Sequence, residues 1–221
     1  MKQLGFLSWL SKKKLTEEQV ANAFVQATFE SVEQGWPEVA GFLNDAPAFV
    51  ESPSLNPDDY GRFLMIVVAG NLQLIPEYFP QGADRAVIQH ICAKFGRALD
   101  LAPADFTLKV KQYRAFMKQI NHPSKNVLTA MTRAVFYKYH LNAYQEPYFR
   151  DLNSPNPVLQ RELRGLMENF VWDWSALTDS YRIVAEAGAD APLSCRRLPR
   201  RRCVVDGARG VGLTARRSRA D

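Results

Sequence analysis

The sequence predicts an all-α fold, a single-domain bundle of about six or seven helices, on three observations. Helix start signals recur along the chain. Apolar residues return at spacings of three and four positions. Strand signals are missing: there is no alternating run and no Asn-Gly hairpin turn, nor does any segment repeat with a period of about 20–50 residues. The expected organisation is an N-terminal amphipathic segment over 1–15, an all-α helical domain over 16–182, and an Arg-rich tail over 183–221.

In the N-terminal segment, Leu4, Phe6, Leu7, Trp9 and Leu10 precede Lys12, Lys13 and Lys14, which reverses the order of a secretory signal. Those five apolar residues wrap most of the way round a helix, so a short helix docked on the body is expected. Contact with an anionic membrane or a partner's groove is the alternative. In "LTEEQV", Thr16 is the expected N-cap, Gln19 completes a capping box, and Leu15 and Val20 occupy the staple positions, so a helix should run over 17–34, with a short one at 37–44.

"LNPDDY" repeats the logic, with Asn56 as cap and Pro57 at the first helical position of a helix over 57–75. Its "FLMIVVAG" is a core run, too short before Asn71, Gln73 and Pro76 to cross a membrane. Gly70 within it permits close helix packing or a kink. The "IPEYFP" elbow leads to a helix opening at Ala83 or Asp84, whose apolar face carries Val87, Ile88, Ile91, Cys92, Phe95 and Leu99. Pro103 opens the next, with Phe106, Val110, Tyr113, Met117 and Ile120 inward. After Pro123, Ser124 can cap a helix reaching residue 143, with Leu128, Met131, Val135 and Tyr139 inward. A turn-rich connector leads to a last helix from Pro157 to Tyr181 or Arg182, in which Trp174 joins the core stripe and Trp172 points elsewhere.

Charge changes abruptly at the end of the domain. The chain holds 28 Lys and Arg against 23 Asp and Glu, yet residues 1–182 hold 19 of each, and the excess comes from nine Arg against four acids in 183–221. All 4 Trp, 8 Tyr and 13 Phe also precede residue 183. Without aromatics, the last 39 residues lack the apolar surface to offset the entropy of ordering them, so that stretch is expected to be disordered. Three readings compete: an arm binding nucleic acid through counterion release, a solvated tail without a specific role, and an out-of-frame or artefactual extension. Nucleic acid is an expected partner only if the tail is genuine.

No Glu-x-x-His pair, Cys-x-x-Cys or His-Glu-x-x-His is present, and "GARGVG" has no strand before it, so neither a metal site nor a nucleotide loop is expected. His90, His122 and His140 are too widely spaced to share a metal on one helix. No cofactor and no catalytic residue is expected. The 3 cysteines suggest no disulfide framework, which fits a cytoplasmic protein without a transmembrane segment.

One constellation stands out. At 100° per residue, Asn126, Arg133, Tyr137, His140 and Tyr144 gather opposite the core stripe of the 124–143 helix, where Lys and Glu would be ordinary. Tyr148, Phe149 and Arg150 on the connector are expected to fold over the same side and make it concave. Rings with polar tips beside Arg suit recognition. The bland reading is a helix buried on both sides with its Tyr and His bonded internally. The leading functional reading is a non-enzymatic protein that binds a macromolecular partner or self-associates through residues 126–150. The alternative is a small-molecule site or an enzyme, with His140 transferring protons and Arg133 holding an anion.

Overall fold

The computed structural model describes residues 12–185. The helical class holds. Strand β1, Lys13–Thr16, leads into α1, Glu17–Asn44, followed by α2, Gly61–Tyr78, α3, Ala83–Ala98, and α4, Pro103–Asn121. Next come α5, Val127–Lys138, a 3-10 turn at Leu141–Tyr144, the single-turn α6, Pro147–Asp151, and α7, Pro157–Met167. A second 3-10 turn, Glu168–Phe170, precedes α8, Trp174–Ser180, and strand β2, Tyr181–Val184.

Helix α1 starts as its sequence demands. The Thr16 hydroxyl accepts from the Gln19 N–H at 3.2 Å, and the Gln19 side chain accepts from the Thr16 N–H at 2.9 Å. It then runs through Pro37, where two helices were expected. Val32, Trp36, Val39, Ala40 and Leu43 keep one buried stripe across the proline, and that burial outweighs the lost backbone bond. Gly35 is a packing residue here: a Cβ on it would lie 2.5 Å from the Phe170 ring.

Helix α2 is the centre of the bundle, buried nearly all round and packed against α1, α4, α5 and α8. It begins later than expected, because Asn56 caps a turn instead: its side chain accepts from Asp58 N at 2.9 Å, and its carbonyl accepts from Asp59 N. Gly70 serves close packing, since a Cβ there would overlap the Met131 sulfur on α5. Asn71, fully buried, donates to Phe170 O at 2.8 Å and accepts from Trp172 N at 2.7 Å, and so interrupts the long last helix that the apolar pattern suggested. Trp174 is buried, and Trp172 lies edge-on to Phe24 at 5.5 Å.

Two strands correct the expectation of none. β1 and β2 pair in parallel, from Lys13 with Tyr181 to Thr16 with Val184. Ile183 packs against the core, so the folded body extends past Arg182, the expected boundary. Four-residue runs are too short to show alternation, and their partners lie at opposite ends of the body. No helix among the described residues is long and apolar enough to cross a membrane. The expected apolar stretch over 4–10 and the Arg-rich stretch from 186 onward lie outside the described residues.

Candidate functional site

Helix α5 is shorter at both ends than the expected 124–143 helix, and this rearranges the predicted surface. Asn126, not Ser124, is the N-cap, accepting from the Thr129 N–H at 2.8 Å and from its hydroxyl at 3.1 Å. At the other end, Tyr139 is the C-cap and His140 adopts left-handed backbone at φ 56°, which stops the helix. Tyr144 therefore leaves the stripe for the 3-10 turn, where it lies edge-on to Phe49 with centroids 6.4 Å apart. A face drawn for a continuous helix does not survive this stop.

Arg133 donates from Nη1 to the Ile120 carbonyl at 2.9 Å, satisfying one of the last acceptors of α4. That bond makes it a structural tie between α4 and α5. Tyr137 is half-buried and its hydroxyl donates to Asn153 O at 2.9 Å, fastening the connector to α5. The imidazole of His140 is exposed and makes no hydrogen bond among the described residues. Tyr148 and Arg150 are exposed on α6 and do not close over the helix, against the expected cover. The Arg150 carbonyl accepts from the Asn142 amide at 3.1 Å.

Concavity comes from other residues. A cleft of about 550 Å³ opens between the start of α2, the end of α4 and the end of α5, lined by Arg62, Phe116, Gln119, Ile120, Tyr137, Lys138, His140 and Asn153. Two predicted residues, Tyr137 and His140, share it; Asn126, Arg133, Tyr144, Tyr148 and Arg150 do not line it. The Lys138 ammonium stands 4.5 Å from the Tyr113 ring centroid and 4.8 Å from that of Phe116. Arg62 reaches the Lys138 carbonyl from Nη1 at 3.4 Å and lies over the Tyr139 ring at 5.9 Å.

Behind the cleft the packing is dense. Tyr139 stacks on Trp36 at 4.8 Å and accepts from the Phe63 N–H at 3.1 Å. Burial pushes its hydroxyl well above the ordinary tyrosine range; Asp59 adds to this, against lowering by the Phe63 N–H and the Arg62 charge. Gln145, fully buried, holds the connector by donating to Asn142 and Ser154 and accepting from Asn156 N at 2.7 Å.

Sequence reasoning missed Arg62, Phe116, Gln119, Lys138 and Asn153 as cleft residues. The signal available was modest: Lys138 next to Tyr137 and His140, and Asn153 in a turn-rich stretch. Among the described residues no three His, Cys, Asp or Glu side chains gather in a way that could hold a metal ion. No protein-family model matches the chain, and no curated protein or solved structure matches it either, so the reading of the cleft rests on its own residues.

Proposed function

We propose that the protein is a non-enzymatic binding module whose working face joins this cleft to α6 and engages a macromolecular partner. The observation that carries this reading is an open cleft beside exposed apolar side chains. Tyr148 is 69 % exposed and Leu152 58 % exposed, four positions apart on α6 and its C-cap, hence on one side of that turn. Exposed apolar groups next to a polar recess are what partner surfaces carry. Gln119, His140 and Asn153 are themselves exposed, so the cleft would leave much of a small ligand in water, whereas enclosing sites bury most of theirs.

A cytoplasmic setting agrees with Cys92, the free thiol of the described residues, which is buried in the core. The test is a paired substitution, Tyr148→Ser with Leu152→Ser, read by melting temperature, by size in solution and by capture of a cross-linked partner. Melting should shift by no more than a degree or two, roughly the effect of about 0.5 kcal/mol, while capture or self-association is lost. Unchanged capture and size would reject the face.

A further inference from the structure

We infer that the cleft at the end of α5 is an anion site for the carboxylates of a short acidic segment in a partner protein. This rests on the binding-face reading and gives it a chemistry. The lining carries the Arg62 guanidinium, the Lys138 ammonium, the His140 imidazole and the amides of Gln119 and Asn153, with no carboxylate among the described residues. Residues 1–182 balance 19 basic against 19 acidic side chains, but residues 106–145 hold seven Lys and Arg and no Asp or Glu, so the cleft opens on the basic stretch of a neutral body.

Lys138 has no carboxylate within ion-pair distance among the described residues. Its ammonium rests instead on two rings, which fix its position and leave its N–H groups for an incoming oxygen. Two negative influences lie close by, the carbonyl end of α5, which receives Arg62, and Asp59, whose charge acts on Tyr139 outside the lining.

Backbone strain converges on the same place. Four described residues other than glycine have positive φ, and two of them, His140 at 56° and Asn153 at 46°, line this cleft. Asn and His are the more frequent non-glycine residues in that conformation, yet glycine fits a helix stop best, so both positions cost stability relative to it. The His140 imidazole makes no hydrogen bond among the described residues, so the cost there is assigned to what the side chain meets from outside.

The occupant follows from shape and charge. A nucleic acid strand offers phosphates to the basic residues of α4 and α5 but no aliphatic side chain to Leu152, which is exposed beside the cleft. A free small anion would remain largely in water here. A peptide can place a carboxylate on Lys138 and an apolar side chain on Leu152, which directly precedes Asn153 and is exposed.

The test follows resonances of the full chain by NMR while adding a short peptide of alternating Glu and Leu. The result expected is movement of the His140 ring and of the Gln119 and Asn153 side-chain amides, with several-fold weaker affinity in both Lys138→Gln and His140→Gly. Equal movement by the Gln-for-Glu peptide would overturn the anion site while leaving the binding face standing. Inorganic phosphate or single-stranded DNA binding there as tightly as the Glu peptide would overturn the peptide assignment. Shifts confined to residues 186–221 would overturn the inference altogether.

Discussion

The two ends of α5 carry similar residue types into different service. At its N-cap and its middle, Asn126 and Arg133 are taken up by the fold: one caps its own helix, the other closes the free carbonyl end of α4. At its end Lys138 and His140 stand on a cleft, and among the described residues the His140 imidazole makes no hydrogen bond. An outward stripe of polar side chains is therefore not a surface in itself. Which members are available depends on where neighbouring helices leave backbone groups unsatisfied.

Substitutions along α5 can break this contrast. The largest effect is expected at the inner side of its end, where Tyr139→Ala removes a buried ring stacked on Trp36 and should cost about 3–5 kcal/mol, as for other truncated buried aromatics, in denaturant midpoint. Asn126→Ala and Arg133→Ala should each cost about 1 kcal/mol and leave partner capture intact. Loss of capture without loss of stability in either would move the working face toward the start of the helix. Lys138→Gln should change stability by less than about 1 kcal/mol, the cation–π contribution, while weakening capture.

Much of the bundle was legible from the sequence because its signals are local. The Thr16 capping box, the proline at the start of α4 and the apolar stripes of α3 and α4 are each readable within a few turns. Pro37 misled because the residue before a proline disfavours helix, while the stripe that carries α1 through it is stabilised by tertiary burial. The candidate site was half legible for the same reason. Tyr137 and His140 share a helix end and could be seen together, whereas Arg62 meets Lys138 across 76 positions. Tyr144 was misplaced by assuming helix beyond His140, whose left-handed backbone no periodicity announces. The pairing of β1 with β2 joins runs at opposite ends of the body and has no local signature.

The central claim is that His140 is kept at a strained helix stop for the sake of what it binds. It is tested most directly by one variant, His140→Gly, measured in parallel for melting temperature and partner capture. Relief of the left-handed strain should raise stability by up to about 1 kcal/mol, or roughly 2–4 °C for a body of this size, while capture falls. A lower melting temperature, or a stabilised protein that captures its partner as well as before, would contradict it.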